Sequence, residues 1–214
     1  IISTLDLFIT GSRGGRWPTV SVKPAAVPYP AYDVLEASRA RSFGNKYLNY
    51  KGMSRYYQDI LQQPVQLTAS LHHHTGEGKA AMQKAFKALS RSRPVFIVGI
   101  GASWNAGLSV QYALNNVGIM SYLYEAAEFY HYIRLPEHSL VLFLSRSGKS
   151  IEIVHSIEKC RQSGATIMAI TNDPESPLGR GADICLSTGV AFDHAISVNT
   201  YSSILLTGHL LAQG

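Results

Sequence analysis

Five short apolar segments alternate with helical patterns, and this alternation constrains the fold of the 214-residue chain more than any other feature. Apolar runs of this length between helices are typical of buried parallel strands, whose connecting helices cover both faces of one sheet. The sequence therefore predicts an α/β fold with a doubly wound, five-stranded parallel sheet in the flavodoxin-like order 2-1-3-4-5. The predicted strands are 95–99, 121–124, 139–144, 166–171 and 183–186, and the predicted helices are 103–117, 127–132, 149–163 and 194–212.

Helical patterns also precede the first predicted strand. Residues 53–61 have a helix-like pattern, and Pro64 suits the first position of a second helix that ends near His74. A third helix is predicted over 79–89. Glycines and prolines break any period in residues 1–52, so this segment is interpreted as an irregular or disordered extension. The predicted organisation is an extension over 1–52, N-terminal helices over 53–92 and an α/β domain over 93–214.

Two turns rich in glycine and serine lie where predicted strands meet helices, after the first and third strands. They run from 99 to 107 and from 144 to 150. In the order 2-1-3-4-5 these two strands are neighbours, and ligands of such sheets bind outside the carboxyl ends of the strands at this switch point. Helix N-termini present free N–H groups and a positive dipole end, and serine hydroxyls add donors without bulk. The pattern predicts a binding site for a phosphorylated small molecule.

Two nucleotide-binding motifs fit the turns less well. Gly99-x-Gly101 starts a dinucleotide fingerprint, with Glu125 as a possible ribose ligand, but Trp104 stands where the third glycine belongs. The end of the second turn matches the last residues of a P-loop, but Phe143 stands at the position of its first glycine. No cofactor is predicted.

Few side chains suit metal binding or proton transfer. The consecutive His72, His73 and His74 would point in three directions on a helix, so they are interpreted as surface polar residues and no metal is predicted. Asp193 is a candidate N-cap of the last helix, and His194 after it either faces the ligand or has no role there. Glu128 is the other weak catalytic candidate, on a short helix where exposed acids are common.

Residues from about Met53 onward resemble a sugar isomerase (SIS) domain, specifically the first SIS half of the isomerase part of glucosamine-6-phosphate synthase and its shorter relatives. The matching segments are 101–107, 125–129, 144–150, 170–172 and 195–198, in the same order as in the family. The resemblance implies two groups of ligand contacts. A phosphate would be held by Ser145, Arg146, Ser147, Gly148 and Ser150, and the rest of the sugar phosphate would be contacted by Gly101, Ala102, Ser103, Ala195 and Ser197.

The same resemblance implies a function. The ligand would be a sugar phosphate of the fructose 6-phosphate or glucosamine 6-phosphate class, bound by the first SIS half of a ketose/aldose phosphate isomerase or aminotransferase-type protein. A non-catalytic sensing module of a regulator and a single-SIS oligomeric isomerase are the alternatives. The catalytic acid, ring-opening histidine and tail lysine of the family belong to its second half. The chain is therefore expected to be truncated, to pair with a second SIS half or another copy, and to show little turnover alone.

Composition limits the partners. Residues 1–52 hold seven Lys and Arg against three Asp and Glu, whereas residues 53–214 hold twelve against eleven. The predicted domain thus lacks the net positive charge of a nucleic-acid surface, and no nucleic-acid partner is expected. No apolar run approaches the ~20 residues that a membrane helix needs. Cys160 and Cys185 form no paired motif and are interpreted as buried thiols of a cytoplasmic protein.

Overall fold

The structure, a computed structural model, describes residues 54–91, 94–194 and 196–213. The extension predicted over 1–52 lies outside these residues. The helices are α1 (Arg55–Thr75), α2 (Lys79–Arg91), α3 (Ala102–Asn116), α4 (Ala126–Tyr132), α5 (Ile151–Gln162), α6 (Pro177–Gly181) and α7 (Asn199–Leu211). The strands are β1 (Val95–Gly99), β2 (Ser121–Glu125), β3 (Leu140–Ser145), β4 (Thr166–Thr171) and β5 (Ile184–Ser187).

The five strands form one parallel sheet in the order β2-β1-β3-β4-β5, which confirms the predicted topology. Every residue of β1 and β3 is buried. Helices cover the sheet on both faces, and for this reason the central strands read as continuous apolar runs rather than as alternating ones.

Alternate side chains of each strand enter two separate cores. One core contains Ile97 and Leu142 and packs against α2, α3 and α7. The other contains Phe96 and Phe143 and packs against α4 and α5. Since both faces of the sheet are filled, the strand ends remain as the place where a ligand can approach.

Helix α1 runs through Pro64, so the prediction of two helices divided at this proline is wrong. A proline inside a helix lacks one N–H donor and its ring crowds the preceding turn. Contacts with α7 along the helix offset this cost. The amide of Gln63 donates to the hydroxyl of Ser202 over 2.9 Å, and the ring of His74 contacts the hydroxyl of Thr207 at 2.7 Å.

His74 is only 2% exposed, so the interpretation of the three histidines as surface residues is wrong for this one. Its Nε2 lies against Thr207, whereas its Nδ1 has no hydrogen-bond partner in the described part of the chain. Burial, with a smaller contribution from the charge of His73, lowers the pKa of His74 from 6.5 to about 4. His74 therefore packs between α1 and α7 as a neutral side chain.

Three smaller differences from the predictions concern two helices and one cysteine. The last helix begins at Asn199, five residues after the predicted start at His194. The short helix α6 was not predicted. Cys160 is buried as expected, whereas Cys185 is half-buried. A membrane span would need a longer and more apolar helix than any found in the described residues.

Candidate functional site

The two turns predicted to hold a phosphate lie side by side. Strands β1 and β3 are neighbours, with Gly99 opposite Leu144 at their carboxyl ends. Helix α3 begins after the β1 turn and helix α5 after the β3 turn. Two helix N-termini, with their unpaired N–H groups, therefore lie at one edge of the sheet.

The three serines of the β3–α5 turn have different roles. Ser145 is buried, and its Oγ accepts a hydrogen bond from the backbone N–H of Gly148 over 3.0 Å, so it holds the turn together. Ser147 is half-buried and accepts only a long bond, 3.4 Å, from the backbone N–H of Lys149. Ser150 occupies the N-cap position of α5, but its hydroxyl makes no capping bond. Ser147 and Ser150 are thus the serines whose hydroxyls are available to a ligand.

The segment after β4 holds this turn in place. The backbone N–H of Asn172 donates to the carbonyl of Arg146 over 3.1 Å, and that of Leu178 donates to the carbonyl of Gly148 over 3.1 Å. Gly148 has a φ of +62° and is buried against Ser176. The turn is therefore preorganised, and a ligand would not have to order it.

Two cations flank the turn and have different partners. Lys149 forms an ion pair with Asp173, with 2.9 Å between Nζ and Oδ2. The hydrogen bond from Lys149 lowers the pKa of Asp173, so this acid is ionised in the pair. The guanidinium of Arg146 lies 5.9 Å from the centroid of the Phe192 ring, and no carboxylate in the described residues pairs with it. Arg146 is thus the cation of this turn that can meet a phosphate.

The β1–α3 turn approaches the end of its strand closely. A Cβ at Gly99 would lie 2.8 Å from the backbone nitrogen of Trp104, so this position requires glycine. Gly101, with a φ of +54°, and Ala102 are exposed, and Ser103 is half-buried. Gly101, Ala102 and Ser103 were predicted as sugar contacts. They lie after the carboxyl end of β1, next to the end of β3.

Glu125, considered above as a ribose ligand, has a structural role. Its Oε2 accepts a hydrogen bond from the backbone N–H of Ala127 over 2.8 Å and so caps α4. This agrees with the argument against a dinucleotide site. Glu128 is exposed on the same helix and makes no hydrogen bond or ion pair within the described residues, so no contact ties this catalytic candidate to the serine turns.

The loop between β5 and α7 passes over the same edge of the sheet. Asn172, at the end of β4, donates from its side-chain amide to the carbonyl of Val190 over 3.1 Å and accepts from the hydroxyl of Thr188. Further along, Phe192 packs near Arg146. This loop therefore brings residues 188–194 beside the β3–α5 turn, and Asn172, which no motif singled out as a contact, fixes its path.

Asp193 caps α7, although from six residues before the helix. Its carboxylate accepts from the backbone N–H of Asn199 over 2.7 Å and from that of Thr200 over 3.1 Å. Burial alone would raise the pKa of Asp193, but the hydrogen bonds from the Thr200 hydroxyl and these amides outweigh it and lower the pKa. Asp193 thus caps the last helix as predicted, but this helix begins five residues later than predicted.

The cap also determines what Ser197 can do. The Thr200 hydroxyl donates its single proton to Asp193, so in the 2.6 Å contact between Ser197 and Thr200 the Ser197 hydroxyl is the donor. Ser197 is left with lone pairs only and can accept a hydrogen bond from a ligand. Ala195, its predicted companion, lies outside the described residues.

His194 is held by a carboxylate that the sequence did not suggest. Its Nδ1 lies 2.6 Å from Oδ1 of Asp59 on α1, and its backbone N–H donates to Oδ2 over 2.9 Å. The Asp59 side chain is 4% exposed and that of His194 is 49% exposed. Because a carboxylate can only accept, Nδ1 of His194 carries the proton of this hydrogen bond. Asp59 and His194 are 135 positions apart, and no local pattern could have paired them.

Comparison with known proteins agrees with this architecture. The sequence profile of the SIS domain matches residues 88–213. Since this match covers more than half of the chain, the chain belongs to the SIS domain family. A glutamine–fructose-6-phosphate aminotransferase (isomerizing) from Sulfurisphaera tokodaii is 34% identical over 102 residues, which are 48% of this chain and 17% of the relative.

Solved structures share the fold. The C-terminal domain of a glucosamine-fructose-6-phosphate aminotransferase from Francisella tularensis matches with a TM-score of 0.69 and 21% identity, over 78% of this chain and 50% of that chain. The Vibrio vulnificus NanR protein, solved in complex with ManNAc-6P, matches with a TM-score of 0.56 and 19% identity, over 73% of this chain and 64% of that chain. The chain thus spans only part of the aminotransferases that it resembles.

Proposed function

We propose that the chain binds phosphorylated hexoses or aminohexoses, with the phosphate on the β3–α5 turn and the sugar toward Ser103 and Ser197. The proposal rests on Ser147 and Ser150. Their hydroxyl protons have no acceptor among the described residues, and they lie beside the N-terminus of α5 on a turn that backbone hydrogen bonds hold in place. Several donors converging on one point suit a tetrahedral dianion better than a neutral group.

The sugar end of the ligand follows from the remaining contacts. Ser197 can only accept a hydrogen bond, so it suits a sugar hydroxyl or amine and not the phosphate. Ser103 lies near the N-terminus of α3, where backbone N–H groups add further donors. The names of the relatives support the ligand class, since one is named for fructose 6-phosphate and a structural neighbour was solved with ManNAc-6P.

Calorimetric titration with fructose 6-phosphate tests this assignment. Ser147→Ala and Ser150→Ala are each expected to weaken binding by about tenfold, because each removes one hydrogen bond to a charged group. The variant Ser90→Ala, which removes a hydroxyl at an exposed position on α2, is the matched control and should bind as the wild type does. Wild-type affinity in both site variants would refute the placement of the phosphate.

A second candidate function is aldose–ketose isomerisation, and the pair of Asp59 and His194 favours it. A buried carboxylate that orients an exposed imidazole is an arrangement suited to general acid–base catalysis. His194 was one of the two catalytic candidates from the sequence, and Asp59 would act as its positioning residue. The half-exposed ring lies on the loop that passes the serine turn.

A coupled assay of fructose 6-phosphate conversion separates the two functions. Turnover that is abolished by His194→Gln, and kept by His131→Gln at an exposed histidine on α4, would support an isomerase. Asp59→Asn should then lower kcat while the affinity for the sugar phosphate stays the same. Intact binding without turnover supports binding alone, and this is the result that we expect for the 214-residue chain.

A further inference from the structure

A basic cleft lies at the opposite edge of the sheet, where β4 and β5 begin. Its volume is about 650 Å³. Helix α2 forms one wall, and the connection from α5 to β4 forms the other. Its apolar lining residues include Ala88, Ile167 and Ile184. Because the strands are parallel, this cleft is separated from the serine turns by the length of the sheet.

The cleft concentrates positive charge. Lys84, Lys87 and Arg91 line it from α2, at a spacing that places them on one face of the helix, and Arg161 lines it from the end of α5. These are four of the twelve Lys and Arg in residues 53–214. Helix α2 contains no Asp or Glu that could relieve the repulsion along this face. No carboxylate on this helix therefore offsets the positive charge of the face.

The cations of the cleft fall into two groups. Lys84 donates to the carbonyl of Asp183 over 2.6 Å, and Arg161 donates to the carbonyl of Gly181 over 3.3 Å, so both are anchored to the segment that precedes β5. Lys87 and Arg91 are exposed, and no side-chain partner of either is found in the described residues. Two anchored and two uncommitted cations thus border the cleft.

The cleft has a single carboxylate, that of Asp183. Oδ2 of Asp183 accepts the backbone N–H of Ile167 over 2.8 Å, and no ion pair forms between Asp183 and any of the four cations. With four cations and one carboxylate among the lining residues, the formal charge of the cleft is positive.

The spacing of the cations indicates the size of the ligand. Lys84 and Arg91 are seven residues apart on one helix, about 10 Å along its axis. A single phosphate cannot contact both ends of such a row, whereas two or three linked phosphates can.

We propose that this cleft binds the oligophosphate group of a small molecule, at a site independent of the sugar-phosphate site. Lys84, Lys87 and Arg91 would contact the phosphates directly, Lys84 through the N–H donors that its bond to the carbonyl of Asp183 leaves free, and Arg161 would line the opposite wall. The row of cations extends over only about 10 Å of helix, whereas nucleic acid needs an extended basic surface, and the near-neutral balance of residues 53–214 does not provide one.

Calorimetric titration with inorganic tripolyphosphate at low salt tests the proposal. The double variant Lys87→Gln/Arg91→Gln is expected to bind about tenfold more weakly. Both positions are exposed and glutamine is a good helix former, so the variant should fold. Arg134→Gln, which removes one positive charge at an exposed position outside the cleft, should bind within twofold of the wild type.

Two further measurements separate the cleft from the serine turn. Tripolyphosphate should still bind when the serine turn is saturated with fructose 6-phosphate, and the Lys87/Arg91 variant should keep wild-type affinity for fructose 6-phosphate. Absence of tripolyphosphate binding under this saturation, or an equal loss in Arg134→Gln, would each overturn the proposal. So would a short DNA duplex that binds more tightly than tripolyphosphate through the same two cations.

Discussion

Gly148→Ala is expected to lower the free energy of unfolding by about 2–4 kcal/mol and to remove sugar-phosphate binding with it. The φ of +62° at this position disfavours any residue with a Cβ. In addition, an added Cβ would lie 2.7 Å from Cβ of Ser176 and closer still to its hydroxyl. Ser176 cannot move freely, because it donates to the carbonyl of Asp173 over 2.6 Å and accepts from the backbone N–H of Gly179 over 3.1 Å.

Gly101→Ala provides the matched control. Gly101 has a similar φ of +54°, but an added Cβ would meet no atom within 4 Å. Only the conformational cost remains there, about 1–3 kcal/mol, because a positive φ with a ψ of −119° is a backbone conformation that few residues besides glycine adopt. Urea unfolding followed by circular dichroism should show the larger loss for Gly148→Ala. Equal losses in the two variants would mean that the contact between Gly148 and Ser176 is not tight.

His74 is expected to make the protein lose up to about 3 kcal/mol of stability between pH 6.5 and pH 4. In the unfolded chain this histidine takes up a proton near its ordinary pKa of 6.5, whereas burial keeps it neutral in the folded chain down to about pH 4. The unfolded state binds more protons throughout this interval, and stability therefore falls as the pH falls. The full contribution of a neutral His74 is present above pH 6.5.

Urea unfolding at pH 7.5, 6.0 and 4.5 measures this dependence. His74→Gln should reduce the pH dependence, since glutamine keeps a polar contact for Thr207 but does not titrate. His72→Gln, two residues earlier on an exposed face of α1, should leave it unchanged. A larger effect at His72 than at His74 would contradict the assignment of the pH dependence to the buried ring.

The sequence predicted the sheet well because its strands are buried on both faces. Five apolar runs separated by helices leave few topologies, and the positions of the strands were predicted to within one or two residues. The helices were less predictable. Contacts between α1 and α7 keep a helix continuous through Pro64, and nothing near this proline in the sequence indicates them.

The motifs predicted which residues lie at the site, but not what each of them does there. The resemblance placed Ser145, Ser147 and Ser150 together as phosphate contacts, but the backbone geometry makes Ser145 an internal acceptor for Gly148. Similarly, Asp193 was predicted to cap the last helix, but the sequence did not indicate that this helix begins six residues after it. Such distinctions depend on where single N–H groups point, which a one-dimensional pattern does not contain.

An NMR titration of the 214-residue chain distinguishes binding through the phosphate from binding through the sugar alone. Fructose 6-phosphate should shift the backbone amide signals of Ser147, Gly148 and Ile151, and fructose at the same concentration should leave them in place. Shifts of equal size with fructose, or shifts confined to residues outside the two serine turns, would contradict binding through the phosphate.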